Sequence, residues 1–178
     1  MKRASVLALI AIFVFVAAAA AQIPAAPKPG PEQQKLQYLV GNWKTEAELK
    51  PSPFGPGGKF TSTDHVEWME GGFFLVWHSK GSGAMGNTTT LAVMGYDSEE
   101  KVYTYDAFNN SGEADHSKGK IEGDTWTWTS NSKMGGQTMR GRYTMKIVSS
   151  TVYNFKFELA AGNADFATIM EGKSTKTK

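Results

Sequence analysis

Cysteine is absent from the sequence, and its absence removes several classes of function. Without a thiol the chain cannot form structural disulfides, carry a redox CxxC pair or use a cysteine nucleophile. It also lacks the lipid-attachment cysteine of a bacterial lipoprotein. A domain of this composition must therefore be stabilised by its hydrophobic core alone.

An excess of positive charge is absent from most of the chain. The formal net charge is +2, and Lys2 and Arg3 account for it, so the chain from residue 22 onward is formally neutral. Proteins that bind nucleic acid carry basic surfaces that contact the phosphates. The composition therefore predicts no nucleic-acid partner.

Long apolar runs are missing everywhere except at the start of the chain. The segment opens with MKR, continues with the apolar residues 6–16 and ends in five alanines at Ala21. This order is typical of a secretory signal peptide, and we predict that residues 1–21 are removed after Ala21. An uncleaved anchor is the alternative, but residues 6–21 are shorter than the roughly 20 residues that span a bilayer. We expect an exported protein, periplasmic or secreted, with no membrane span after cleavage.

Helical periodicity is missing beyond the leader as well. Residues 22–34 (QIPAAPKPGPEQQ) contain four prolines and predict an extended linker. From residue 35 to residue 178, short β-branched and aromatic runs alternate with turn residues such as Gly123-Asp124. The predicted strands cover residues 43–49, 59–69, 73–79, 88–96, 102–108, 114–121, 125–130, 138–148, 152–159 and 166–173.

Apolar residues recur at every second position in the later strands. Trp126 and Trp128 alternate with threonines, and Tyr153 and Phe155 alternate with polar residues. Each strand thus has one face to bury, and no amphipathic helix is available to cover it. The sheet must therefore cover itself, as a sandwich or as a closed barrel, and consecutive strands with tight turns favour the barrel. We predict an all-β domain over residues 35–178, a single antiparallel up-and-down β-barrel of about ten strands.

Four short motifs carry a resemblance to known proteins: Leu39–Trp43 (LVGNW), Gly71–Phe74 (GGFF), Met94–Asp97 (MGYD) and Met170–Lys173 (MEGK). Together they resemble the secreted bacterial domain-of-unknown-function family 1579, and the first resembles the GxW motif of lipocalin-like (calycin) barrels. The resemblance implies a calycin-type barrel. It implies no catalytic residues, because the family has no settled activity.

The same resemblance implies a structural role for Gly41 and Trp43. In lipocalins the GxW tryptophan crosses the closed end of the barrel beneath a basic side chain from the last strand. The last strand here offers lysines, Lys173 and Lys176, whereas Arg140 and Arg142 stand two strands earlier. We expect Trp43 to plug the barrel, with a cation from one of these residues above its ring.

Motifs for catalysis, cofactors and metals are scarce. Residues 81–86 (GSGAMG) match GxGxxG, but three threonines follow where the dinucleotide fingerprint needs a helix, so we predict a flexible hairpin loop. No GxSxG elbow is present. The three histidines, His65, His78 and His116, show neither HxH nor HExxH spacing. We predict no metal site, no cofactor and no identifiable catalytic residue.

Aromatic side chains, by contrast, are abundant on the predicted apolar faces. Large rings inside a barrel of this size either fill it or line a cavity for an apolar ligand. We predict that eight of them form a ligand site: Trp77, Tyr103, Tyr105, Trp126, Trp128, Tyr143, Tyr153 and Phe155.

Three hypotheses for function follow from these features. The first is an exported lipocalin-like protein that binds a small hydrophobic molecule in its barrel. The second is a barrel enzyme acting on a lipophilic substrate, for which His65 and Glu67, on one strand face, are the candidate acid and base. The third is a packed barrel that acts through surface contacts with proteins. A hollow interior distinguishes the first two from the third.

Overall fold

The computed structural model describes residues 27–53, 55–84, 86–134 and 136–178. The predicted signal peptide and the first part of the predicted linker lie outside the described residues. Ten strands follow a short helical segment, with bounds β1 Gly41–Leu49, β2 Gly58–Trp68, β3 Phe74–Gly83, β4 Gly86–Asp97, β5 Val102–Asn109, β6 Ala114–Glu122, β7 Thr125–Met134, β8 Gln137–Ser149, β9 Val152–Ala161 and β10 Ala167–Thr177.

The strands form one closed antiparallel barrel. Each strand pairs with its neighbours in sequence, and β1 pairs with β10 from Asn42↔Thr177 to Leu49↔Met170. Closure satisfies the backbone hydrogen bonds that two edge strands would otherwise expose. The predicted all-β, ten-strand up-and-down barrel is therefore confirmed.

The barrel interior receives the apolar set of each strand. In β7, Trp126 and Trp128 are buried while Thr129 is exposed. In β9, Tyr153 and Phe155 are buried and Asn154 between them is exposed. This is the two-residue period of a pleated strand with one face turned away from water.

A short helical segment lies across one end of the barrel. Helix α1 (Pro31–Lys35) runs directly into a 3-10 turn (Leu36–Leu39), although the proline-rich composition predicts an extended linker up to residue 34. Proline suits the first turn of a helix because its missing N–H has no partner there. Leu36 and Leu39 are fully buried, so this segment is part of the core.

Trp43 completes the closed end. Its indole Nε1 donates to the carbonyl oxygen of Leu39 at 2.7 Å, and the side chain is buried. The ammonium of Lys176 lies 5.0 Å from the centre of the indole ring and donates to the carbonyl oxygen of Tyr38 at 3.0 Å. Of the residues that could supply the expected cation, the structure assigns Lys176, on the last strand. Gly41 lies beside the same side chain, since a Cβ there would be 3.5 Å from the Lys176 Cε.

The glycine-rich segment 81–86 is more regular than its composition predicts. Strand β3 continues through Gly83 and β4 begins at Gly86, so the predicted hairpin is present and its strands extend further into the glycine segment than expected. Cross-strand pairing from Ser82↔Asn87 to Gly83↔Gly86 supplies backbone hydrogen bonds that glycine composition cannot reveal. None of the helices in the described ranges is long and apolar enough to cross a bilayer.

Candidate functional site

The barrel encloses a cavity of about 940 Å³. Its inner end lies against Leu39 of the 3-10 turn, and Met94 and Met145 line it from the sheet. Its outer end lies at the opposite side of the barrel, where Asn109, Glu113 and Lys133 stand beside the β5–β6 and β7–β8 turns. The interior is therefore hollow.

Six of the eight predicted ligand-site aromatics lie on the cavity wall: Trp77, Tyr105, Trp128, Tyr143, Tyr153 and Phe155. The rings of Tyr143 and Phe155 stack with centres 5.5 Å apart and planes 22° apart. Stacked and tilted rings of this kind present flat apolar surface at little conformational cost. Whether these rings contact a ligand stays a prediction.

The other two predicted residues, Tyr103 and Trp126, lie away from the cavity at the closed end. The Tyr103 hydroxyl donates to the Glu32 carboxylate of α1 at 2.6 Å. Trp126 packs edge-on against Tyr38, with ring centres 5.8 Å apart. Each is the second residue of its strand after a closed-end turn. Periodicity assigns a residue to the inner face, but it does not determine its height along the barrel axis.

A polar cluster interrupts the aromatic wall. Asp64 of β2 is buried, and its Oδ2 accepts hydrogen bonds from Thr45 Oγ1 at 3.2 Å and from Ser62 Oγ at 3.1 Å. The hydroxyls of Thr45 and Ser174 are 2.6 Å apart. All four side chains line the cavity. Buried polar groups are paired in this way because an unpaired group in an apolar interior is costly.

The tyrosine hydroxyls near this cluster remain protonated at neutral pH. Burial raises the pKa of Tyr105, Tyr143 and Tyr153 above its ordinary value, and the negative charge of Asp64 adds to the rise in each case. Hydrogen bonds with Ser174 and Tyr143 oppose part of this rise for Tyr153. The cavity therefore presents neutral phenol groups beside a carboxylate.

Trp128 is an inward ring with an unpaired donor. Its indole Nε1 is buried and has no hydrogen-bond partner in the described part of the chain. The ring lies over Gly119 of β6, where a Cβ would stand 2.5 Å from the ring atom Cδ1. A residue with a side chain at position 119 would displace the indole, so Gly119 leaves the space that the tryptophan ring occupies.

Sequence reasoning missed the cluster of Asp64, Ser62, Thr45 and Ser174. A signal for Asp64 and Ser62 was available, because they alternate with the outward residues of β2 and share a face with Phe60 and Val66. No signal paired Ser174 with Thr45, because the two residues are 129 positions apart.

The candidate acid–base pair of the enzyme hypothesis lies outside the barrel. His65 and Glu67 are exposed, with Nε2 and Oε2 3.6 Å apart, and His65 Nδ1 lies 2.8 Å from Asn42 Oδ1. Both residues lie on one face of β2, as expected. That face is the outer one, because the side chain of Val66, between them in sequence, is buried in the core. The pair therefore cannot act on a molecule in the cavity.

The remaining histidines and the arginines also lie outside. His78 is exposed, and His116 pairs with Asp106 at 2.7 Å on the outer surface. Arg142 Nε donates to Glu158 Oε2 at 2.7 Å, beneath the ring of Phe166. Among the described residues no group of three or more His, Asp or Glu side chains could hold a metal ion.

Comparison with known proteins identifies a family and a fold. Residues 28–176 match the model of a family described as "Protein of unknown function (DUF1579)". No curated protein matches the chain.

Two solved structures have similar folds. Rv2717c from M. tuberculosis is 11% identical, with a TM-score of 0.58 over 84% of this chain and 99% of that one. The S-type phycobiliprotein lyase CPES from Guillardia theta is 10% identical, with a TM-score of 0.50 over 83% of this chain and 93% of that one. At 10–11% sequence identity, these similarities show a shared fold and nothing further.

Proposed function

The chain belongs to this family of unknown function, DUF1579, and from its hollow interior we propose that it binds a small, largely apolar molecule inside the barrel. The observation that carries the proposal is the cavity of about 940 Å³. Sites that hold a small organic ligand enclose roughly 300–1,000 Å³. A barrel that served only as a rigid scaffold would be more stable with that space filled by side chains, because close packing stabilises protein interiors.

The lining supports a ligand with a large apolar part. Trp77, Trp128 and Phe155 offer ring surface, and Met94 and Met145 offer side chains that adapt to irregular shapes. Polar side chains line the rest of the wall, and the buried ones around Asp64 converge in one hydrogen-bonded cluster. Apolar surface with convergent polar groups is the usual composition of a small-molecule site, because the polar groups orient the ligand that the apolar surface binds.

We also propose that the protein works outside the cytoplasm, as a lipocalin-like carrier or sensor in the periplasm or the medium. The support for this is the order of basic, apolar and alanine-rich segments in residues 1–21. Fractionation of cells that express the full-length gene tests it. We expect the protein in the periplasm or medium with Gln22 as its first residue, and retention in the cytoplasm with Met1 intact would contradict it.

Binding is tested with the uncharged dye Nile red, whose emission rises when it leaves water. We expect saturable binding to the protein expressed from its full-length gene, and displacement by a decyl compound such as 1-decanol. Ala107→Trp places an indole in the cavity from the β5 wall, where Ala107 is buried. This variant should lose at least about tenfold in dye affinity, since occupied space excludes the ligand.

Val148→Trp is the matched control, because Val148 is exposed on the barrel surface. It adds the same indole outside the cavity and should leave dye affinity unchanged. Equal losses in the two variants, or unsaturable binding to the unsubstituted protein, would contradict a cavity site.

A further inference from the structure

The charged groups on the cavity wall are mostly acidic. Asp64, Asp115 and Glu113 line the cavity, whereas Lys133 is the only basic residue among the described lining residues. Lys133 is exposed and stands next to the β7–β8 turn, at the outer end. Arg140 and Arg142 face outward, against Phe166, and Arg142 also pairs with Glu158. Neither arginine can therefore bind a ligand carboxylate inside the cavity. Glu113 and Lys133 are exposed at the outer end, so Asp64 is the buried charged residue of the described lining, and no basic side chain of that lining lies at the inner end.

Asp64 receives hydroxyl hydrogen bonds but no cation. The donors to its Oδ2 are Thr45 and Ser62, and its Oδ1 has Ser62 at the longer distance of 3.4 Å. None of the ion pairs in the described part of the chain involves Asp64. A carboxylate can accept about four hydrogen bonds, so Oδ1 keeps capacity for a further donor. A buried carboxylate without a countercharge is costly, and a ligand that supplies the charge recovers that cost.

Asp115 repeats this arrangement on the wall formed by β6. Its Oδ2 accepts a hydrogen bond from Ser117 at 2.6 Å. Like Asp64, Asp115 takes part in none of the ion pairs found among the described residues. The charges of Asp115 and Asp64 both contribute to the raised pKa of Tyr105, after the larger effect of burial. The two carboxylates therefore act on the same region of the cavity from different strands.

Aromatic rings share the cavity wall with these carboxylates. Tyr105, Tyr143 and Trp128 line the same cavity as Asp64. The face of such a ring attracts a cation, and the attraction grows when the pair is shielded from water. Carboxylate and ring faces together favour an organic ammonium, whereas a fatty-acid head group would bring a further negative charge into the site.

We propose that the ligand is a lipophilic amine, whose ammonium group pairs with Asp64 and whose apolar body lies against Trp77, Trp128 and Phe155. This proposal rests on the proposed function, namely that the cavity binds a small molecule. It adds the chemical class of the ligand and names Asp64 as the residue that selects it.

The test compares three decyl compounds that differ only in the head group: 1-decylamine, 1-decanol and decanoic acid. Each is used below its aggregation concentration to displace Nile red from the protein expressed from its full-length gene. We expect decylamine to bind at least about tenfold more tightly than decanol, since a hydrogen bond to a charged partner contributes more than a neutral one. Decanoic acid should bind more weakly than decanol.

Asp64→Asn tests the residue. It keeps the shape and the hydroxyl partners but removes the charge, so decylamine affinity should fall to that of decanol while decanol affinity is retained. Asp106→Asn is the matched control, because Asp106 is on the same barrel but pairs with His116 on the outer surface. It should keep the full preference for the amine.

The outcomes separate the two proposals. Equal binding of the three compounds, a preference for decanoic acid, or an amine preference that survives Asp64→Asn overturns the amine proposal while cavity binding stands. If neither Nile red nor any of the three compounds binds in the cavity, the proposed function itself is overturned. The three-compound comparison on the unsubstituted protein decides the ligand class even where Asp64→Asn fails to fold.

Discussion

At the scale of single residues, Lys176 connects three parts of the closed end. Its ammonium lies 5.0 Å from the Trp43 ring centre and 5.7 Å from that of Tyr38, and it donates to the Tyr38 carbonyl. That carbonyl belongs to the 3-10 turn, so one side chain ties the N-terminal segment to the last strand. The stem of the lysine also lies beside Gly41. Charge and apolar stem both contribute to this contact.

Lys176→Met removes the charge and keeps most of the stem. We expect the free energy of unfolding to fall by about 1–2 kcal/mol, from loss of the cation–ring contact and of one hydrogen bond. Urea denaturation followed by tryptophan fluorescence measures it. Lys173→Met, on the same strand but exposed, should change stability by less than about 0.5 kcal/mol. Equal effects of the two substitutions would show that the position of Lys176 over Trp43 contributes nothing.

At the scale of elements, the outer face of β8 and β9 carries a partly buried ionic cluster. Glu158 is only 5% exposed and is bonded by Arg142 and by Lys156 at 2.8 Å. Phe166, in the segment before β10, covers the Arg142 guanidinium at 4.1 Å from its ring centre. The hydrogen bond from Arg142 is the main cause that lowers the pKa of Glu158 below its ordinary value of 4.5, and Lys156 adds to it.

This lowered pKa gives a pH dependence of known sign. Glu158 is a carboxylate whose pKa falls on folding, so its contribution to stability is present above the unfolded pKa and is lost as pH falls through the folded one. Glu158→Gln should therefore cost about 1–2 kcal/mol at about pH 7. The difference from the unsubstituted protein should shrink as pH falls below 4.5.

Urea denaturation of both proteins across the acid range provides the measurement. Glu171→Gln serves as the control, because the Glu171 carboxylate is exposed and pairs with Lys50 on the surface. It should cost at most about 1 kcal/mol at neutral pH. A constant difference between the Glu158→Gln variant and the unsubstituted protein at all pH values would rule out the assigned role of Glu158.

At the scale of the whole molecule, the barrel depends on the seam between its first and last strands. Gly172 of β10 stands opposite Ala47 of β1. A Cβ at position 172 would lie 2.5 Å from the Glu46 carbonyl oxygen and 2.6 Å from the Ala47 Cβ. Since the neighbouring atoms are mostly backbone, they cannot turn aside as a flexible side chain would. The absence of a side chain here lets the two strands approach and close the cavity.

Gly172→Ala should therefore strain the seam. We expect the free energy of unfolding to fall by about 1–3 kcal/mol, the range for overpacking, and amide hydrogen exchange in β1 and β10 to accelerate more than in β4 and β5. Thr175→Val, a substitution of similar size on the same strand, is the control and should leave exchange at the seam unchanged. Uniform acceleration throughout the barrel would contradict a local effect.

The pattern of the sequence was sufficient to predict the ten strands and their arrangement in a closed barrel. Ten segments with a two-residue apolar period and no amphipathic helix require the sheet to cover its own apolar face, as a sandwich or as a closed barrel. The tight turns between consecutive strands favour the up-and-down barrel. The predicted strands differ from the observed ones mainly at their ends, as at Gly81 and Gly83, where pairing with β4 extends β3.

The sequence also determined which residues face inward, since alternation is a local property of each strand. Three things depended on the tertiary structure: the height of each inward residue along the axis, the hollow interior, and the partners of Asp64. Height separates Trp126 at the closed end from Trp128 on the cavity wall, although they are two residues apart. All three follow from strand tilt, register and closure, which bring Thr45, Asp64 and Ser174 together from distant parts of the chain. No local pattern contains that information, because it arises only when the first strand pairs with the last.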